Sequence, residues 1–199
     1  MRPSTREDDV TRPIEVERKR QLADDGEALT RMLDRLGWAP GPTVTEVDTY
    51  YTRPDVDYMQ TVECLRVRQR GDFAEITYKP PSTEATHSAD DVISKPETNV
   101  HLMPGNACRA EQLLENIGMR RLVRVEKHRT VYRHRSHPDV TVSVDTVVGV
   151  GVFVETEVLS ADAGAAARIV SETEARLGVS DCPVVDLPYR DLALHHASA

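Results

Sequence analysis

Along most of the chain, apolar and polar residues alternate one for one in short runs, the period of strands whose two faces meet different surroundings. Such runs fall at about Ile14 to Leu22, Thr45 to Tyr51, Glu63 to Arg70, Phe73 to Lys79, Ile93 to Leu102, Arg121 to His134, Val140 to Val147 and Val152 to Leu159. Three stretches switch to a helical period. The first, about Asp25 to Leu36, sets Leu29, Met32, Leu33 and Leu36 on one stripe ahead of Gly37. The second, about Asn106 to Ile117, aligns Ala110, Leu113, Leu114 and Ile117 ahead of Gly118. The third, which Ser160 can cap, aligns Ala166, Ile169, Val170, Thr173 and Leu177 ahead of Gly178. The order is strand, helix and three strands, repeated once, then a closing helix. This is a weak internal duplication, with a polar linker from about Pro80 to Asp91 between the halves. It predicts one mostly β domain of the α+β class, with a helix over each apolar face.

The polar half of the alternation carries the chemistry. Glu15, Glu17 and Lys19 share one face of the first strand, with Ile14 and Val16 on the other. Arg66 and Arg68 oppose Leu65 and Val67, and Thr77 and Lys79 oppose Ile76 and Tyr78. Thr141, Ser143 and Asp145 oppose Val140, Val142 and Val144, while Glu155 and Glu157 oppose Val152, Val154 and Val158. For any single strand a solvated outer face accounts for such a pattern. With helices available for the apolar faces, the charged faces become candidates for the lining of a barrel. The signs are also sorted, with carboxylates paired on the first and last strands and cations paired on the middle ones. Arginine and lysine bind phosphate oxygens directly, whereas carboxylates approach phosphate only through a bridging cation such as magnesium. Acidic and basic groups in one cavity therefore point to a metal-bound polyphosphate.

Composition narrows the partners. A net charge of -8 argues against a nucleic-acid polymer. Three dispersed cysteines, Cys64, Cys108 and Cys182, predict neither a disulfide framework nor a zinc site, and they suit a reducing cytoplasm. No apolar run approaches membrane-spanning length, and aromatic residues at 5% are too few for the girdles of a lipid-embedded barrel. Residues 1–13 are polar and read as a disordered tail, and residues 195–199 as a frayed end. His87, His101, His128 and His134 match no ligand spacing, and Trp38 reads as core.

At this point the residues resemble a known family. IEVERK at Ile14 to Lys19 is similar to the E-x-E-x-K signature of the CYTH, or triphosphate tunnel, family. VDTYY at Val47 to Tyr51, TVECLRVRQR with Arg66 and Arg68, ITYK with Lys79 and EKHRTVY with Lys127 and Arg129 follow in the family's order. VDTVVGVGVFVETE, at Val144 to Glu157, resembles its Asp, Gly-x-Gly, Phe and Glu-x-Glu run, and PYRDLAL looks like its closing helix. Two departures stand out: Pro80 and Pro81 follow Lys79, and Pro96 interrupts the alternate positions Lys95, Glu97 and Asn99. The second predicts a bulge or a weak junction in the fifth strand and leaves Glu97 unassigned.

The resemblance implies a closed eight-stranded antiparallel barrel over residues 14–194. It implies magnesium or manganese held by Glu15, Glu17, Glu155 and Glu157, with Asp145 as an additional acidic member. Lys19, Arg66, Arg68, Lys79, Lys127 and Arg129 become triphosphate-binding candidates, and Lys79, Lys127 and Asp145 candidates for catalytic groups. The stretch from Asp48 to Arg70 looks most like the branch with class IV adenylate cyclases, which convert ATP to cyclic AMP and pyrophosphate. That branch commonly dimerises. The alternatives are a triphosphatase acting on tripolyphosphate, thiamine triphosphate or a nucleoside triphosphate, and a noncatalytic polyphosphate or nucleotide receptor.

Overall fold

The structure, a computed structural model, describes residues 14–81, 93–94 and 96–197. The expected tail over residues 1–13, most of the linker, His87 and Lys95 lie outside the described residues. The first part of the chain runs β1 (Ile14–Leu22), α1 (Glu27–Arg35), β2 (Ala39–Pro40), β3 (Val44–Thr52), β4 (Cys64–Arg70) and β5 (Phe73–Lys79). Then come β6 (Ile93–Ser94), β7 (Thr98–Leu102), α2 (Ala107–Asn116), β8 (Arg120–His134), β9 (His137–Val147), β10 (Gly151–Ser160), α3 (Ala163–Leu177) and α4 (Tyr189–Ala197).

All the strands join one antiparallel sheet in the order β6-β1-β10-β9-β8-β3-β4-β5-β7, with β2 paired to β8 beside that path. The fold is mostly β, of the α+β class. Two details correct the expected count of eight strands. Proline lacks the amide that a sheet ladder requires, and the predicted fifth strand is split around Pro96 into β6 and β7. The pair Ala39–Pro40 adds a short strand of its own. The split strand has a geometric consequence, because β6 pairs with β1 at one end of the sheet order and β7 with β5 at the other. Ser94 and Thr98 are four residues apart, so the two ends of the order lie within about 14 Å along the chain.

The helices cover the outward apolar positions. Under α3 and α1, Val16, Val140, Val142, Val154 and Val158 pack against Ala166, Ala167, Val170, Leu177, Leu29 and Leu33. Under α2, Tyr51, Val67 and Ala74 meet Ala107, Ala110 and Leu114. The predicted stripe on α2 is displaced: Leu113 and Ile117 are 55% and 67% exposed, since the small side chains of Ala107 and Ala110 turn to the sheet instead. Ile169 on α3 is also exposed. The cap of α3 is Asp162, whose Oδ1 accepts from Ala165 N at 2.9 Å, while the Ser160 hydroxyl accepts from Asp162 N at 3.0 Å. The closing helix α4 continues through His195 and His196 to Ala197, so the end expected to fray from residue 195 is helical up to there. Among the described residues no helix is long and apolar enough to cross a membrane.

A third apolar cluster occupies the other face of the sheet. Tyr50, Val125, Val147 and Phe153 hold inward positions, two residues along from Asp48, Lys127, Asp145 and Glu155, and pack with Tyr189, Val185 and Leu192. The inner face thus changes from charged to apolar toward the end where α4 docks.

One buried contact under α3 breaks the alternation rule. Arg18 and Arg20 lie on the helix-covered face of β1, and Glu174 of α3 receives both, at 2.8 Å and 2.9 Å. Arg20 also donates to the carbonyls of Ser180 and Cys182. Glu174→Ala would leave two buried guanidinium groups without their carboxylate. We expect it to cost about 3–5 kcal/mol in urea unfolding; a loss below about 1 kcal/mol would show that water or backbone carbonyls suffice for both arginines.

Candidate active site

The inward side chains of β1, β3, β4, β5, β8 and β10 line a cavity of about 360 Å³. Ten of the residues singled out from the sequence stand in its wall: Glu15, Glu17, Lys19, Arg66, Arg68, Lys79, Lys127, Arg129, Glu155 and Glu157. Asp145 does not. It is fully buried beneath the wall, where its oxygens accept from Arg129 Nε at 2.7 Å, from the Tyr189 hydroxyl at 2.9 Å and from Lys127 Nζ at 3.4 Å. With its oxygens so engaged, Asp145 orients the cations above it.

Two sets of ion pairs can be told apart by distance. In the tighter set Arg68 forms a two-pronged fork on Asp48, with both bonds at 2.7 Å, and Arg129 bridges Asp145 and Glu155. Lys127 Nζ lies 3.3 Å from Glu46. In the looser set Arg66 stands 3.8 Å from Asp48 and 3.7 Å from Glu97, and Lys79 stands 3.5 Å from Glu97. These contacts are longer than ordinary hydrogen bonds, so Arg66 and Lys79 can turn to an incoming anion at small cost.

The protonation states follow from this pairing. Burial by itself would raise the Asp48 carboxyl, but Arg68 and Arg66 overcome it and hold Asp48 well below the carboxylate range. Burial likewise opposes Glu155, and Arg129 and Lys127 hold it low. Burial, Arg129 and Arg68 lower the Lys127 ammonium against the pull of Asp145 and Glu155.

Glu15 on β1 and Glu157 on β10 behave in the opposite way. The register sets Glu17 directly across from Glu157, and Lys19 across from Glu155. Like charges facing each other across two strands are unfavourable. Burial, with Glu17, Glu157 and Glu97 adding to it against Lys79, pushes the Glu15 carboxyl up to about 8. Burial, Glu17 and Glu155 also raise Glu157. The raised carboxyls of Glu15 and Glu157, facing other carboxylates, fit a divalent cation, which would relieve both the repulsion and the desolvation. Among the described residues no three or more His, Cys, Asp or Glu side chains form a ready cage. Magnesium takes one or two carboxylates and completes its shell with water and substrate oxygens.

Several lining residues escaped the sequence reading: Tyr50, Val62, Cys64, Glu75, Asp186, Pro188 and Tyr189, with Glu97 and Asn99 present but unassigned. Glu46 and Asp48, each 2% exposed, lie beneath the wall. The signal for these two was available, since Glu46, Asp48 and Tyr50 alternate along β3 as the charged residues do on β1. No local pattern marks Tyr189, which reaches the cavity from the first turn of α4. Val62 holds φ +55 at the cavity wall, a conformation that costs a β-branched residue about 1–3 kcal/mol.

The CYTH domain profile matches residues 13–182. The chain belongs to the CYTH family. This CYTH protein is similar to a candidate adenylate cyclase of Methanocaldococcus jannaschii, with 27% identity over 159 residues, covering 80% of this chain and 85% of the relative. Its fold is similar to the crystal structure of a candidate adenylate cyclase from Vibrio parahaemolyticus, with a TM-score of 0.73 and 18% identity over 90% of this chain and 97% of that one. It is also similar to HpAC1 from Hippeastrum, a candidate adenylyl cyclase described as having a dominant triphosphatase activity, with a TM-score of 0.64 and 14% identity over 92% and 96% of the two chains.

The raised Glu15 carboxyl sets a sign for stability. A folded-state pKa of about 8, against an ordinary 4.5, means that the contribution of Glu15 is fully present below pH 4.5 and is lost as pH rises through about 8. Chemical denaturation of the metal-free protein across this window should show stability falling toward the alkaline side, with a shallower slope in Glu15→Gln. Parallel slopes in the two proteins would remove Glu15 from the cluster.

Proposed function

We propose that the protein is a metal-dependent enzyme that holds a triphosphate inside the sheet, and that its reaction is that of a class IV adenylate cyclase. The observation that carries this reading is the gathering of six cations and seven carboxylates from separate strands around one cavity. Its volume falls near the lower end of the usual range of about 300–1,000 Å³ for small-molecule sites. In this reading the two ends of the sheet order meet at the split fifth strand, and β6 with β7 closes the ring between β1 and β5.

The charge balance bears on the cofactor. With acidic and basic groups nearly equal in number, the wall has no surplus of positive charge to offset a polyanion. A triphosphate would therefore enter together with divalent cations. Glu15, Glu17, Glu155 and Glu157 would hold magnesium or manganese. When bound, such an ion supplies neutralisation of phosphate oxygens and a lowered pKa for a hydroxyl or water.

The remaining roles belong to the cations. Arg66 and Lys79, the loosely paired cations, take phosphate oxygens first. Arg68 and Arg129, fixed by their forks on Asp48 and Asp145, shape the wall, while Glu46 and Asp145 hold Lys127 in place. In the cyclase reaction the ribose 3′-oxygen attacks the α-phosphorus, its proton passes to solvent and pyrophosphate leaves. Lys79, Lys127 and Arg129 would stabilise the charge that develops on the departing pyrophosphate, acting through position and electrostatics. Asp145 would contribute by fixing Lys127 and Arg129.

A second reading, triphosphate hydrolysis, is favoured by one observation: the structurally similar Hippeastrum protein is described as chiefly a triphosphatase. The same wall would then present a terminal phosphate to water. Incubation with ATP or tripolyphosphate and magnesium or manganese, followed by chromatography, separates the two. Cyclic AMP with pyrophosphate is expected for the cyclase, and ADP with orthophosphate for the hydrolase. Binding without turnover of either compound would overturn the assignment as an enzyme. Glu157→Ala should abolish metal-dependent turnover, and unchanged activity would remove Glu157 from the site. Arg66→Ala should raise KM by about tenfold or more, the scale of a lost charge-assisted bond; an unaltered KM would place the phosphates elsewhere.

A further inference from the structure

Tyr189 lies beyond residues 13–182, the part of the chain that the family profile matches, yet it stands in the wall of the charged cavity. Its ring meets two of the cations. Lys19 Nζ lies 4.5 Å from the ring centroid and Lys127 Nζ 5.1 Å from it. These lysines come from β1 and β8, strands that β10 and β9 separate in the sheet. The ring is 6% exposed and packs edge-on against Phe153, with centroids 5.2 Å apart. Its hydroxyl donates to Asp145, the carboxylate that also takes Lys127 and Arg129.

The segment that carries Tyr189 is tied down on both sides. Gln21 N donates to Pro183 O at 3.0 Å, and Val185 N to Lys19 O at 2.9 Å, so this strap runs along β1. Lys19 Nζ donates to Leu187 O at 2.6 Å. The next residue, Arg190, is 1% exposed and donates to Glu63 O at 2.5 Å and Tyr58 O at 3.2 Å. The ring is thereby held rigidly against both ammonium groups.

We infer that Tyr189 is a positioning residue whose ring holds Lys19 and Lys127 as the two cations of one phosphate-binding unit in the cavity wall. The inference rests on the triphosphate reading above and deepens it. An aromatic face attracts an ammonium without neutralising it, unlike a carboxylate. Among the described residues Lys19 has no carboxylate within 4.0 Å, so its full charge stays available to an anion. The ring also keeps two ammonium groups within 5.1 Å of one centroid, a pair of like charges that a phosphate chain with several oxygens can satisfy.

The test is tripolyphosphate binding by calorimetry with magnesium present, alongside KM and kcat, for wild type, Tyr189→Phe, Tyr189→Leu and a series with di- and trifluorinated phenylalanine at the same position. Fluorination weakens the negative ring face with little change of shape. Tyr189→Phe should keep Kd within about twofold, while the trifluorinated form and Tyr189→Leu should weaken binding about tenfold, with the loss in KM more than in kcat. The fluorinated series keeps the test decisive if Tyr189→Leu fails to fold, because it preserves the packing on Phe153. A flat fluorination series in a protein that binds tripolyphosphate overturns this inference alone, as does Tyr189→Phe weakening binding as much as Tyr189→Leu. Failure of the wild-type protein to bind tripolyphosphate overturns the functional reading and this inference together.

Discussion

Charges of both signs placed inside one sheet must compensate each other, because an isolated buried charge is too costly to keep. Every other feature of the inner face follows from that constraint. Asp48 ionises only because Arg68 forks onto it, and Glu155 because Arg129 reaches it. Where cations are scarcer, around Glu15 and Glu157, burial wins and both carboxyls are pushed up. The cavity thus has charge-compensated carboxylates in Asp48 and Glu155 and a flank of facing carboxylates in Glu15, Glu17 and Glu157.

The architecture serves this arrangement by sending apolar side chains elsewhere. Valines on β1, β9 and β10 lie under α1 and α3, and Val67 and Ala74 lie under α2. At one end of the inner face the charged series gives way to Tyr50, Val125, Val147 and Phe153, against which α4 packs. This boundary places Tyr189 where an aromatic ring can touch both a hydrophobic cluster and two ammonium groups. It also ties the C-terminal helix to the loop before β4, through Arg190 and the carbonyls of Tyr58 and Glu63.

Much of this was legible from alternation alone, since a strand's period of two assigns each side chain to a face before any pairing is known. Glu15, Glu17, Lys19, Arg66, Arg68, Lys79, Glu155 and Glu157 could be read that way because each sits among regular neighbours, whereas Lys127 and Arg129 came from the family resemblance. Arg18 and Arg20 defeated the rule, since their covered face contains a carboxylate from a distant helix, and Glu174 gives no local sign of that role. Leu113 and Ile117 misled for a related reason: several helical stripes were apolar, and the closer approach of Ala107 and Ala110 to the sheet decided which one was buried.

The sequence by itself determined most of the strand and helix segments and which side chains of a strand share a face. These are short-range properties, governed by backbone period and by the chemistry of neighbouring side chains. Only the tertiary structure decided that Asp145 lies below the cavity, that Glu17 faces Glu157, that the fifth strand divides around Pro96 between β1 and β5, and that Tyr189 comes back to the wall. Those outcomes depend on register and on contacts between residues far apart in the chain, where pairing energies and packing space, rather than local propensity, select the arrangement.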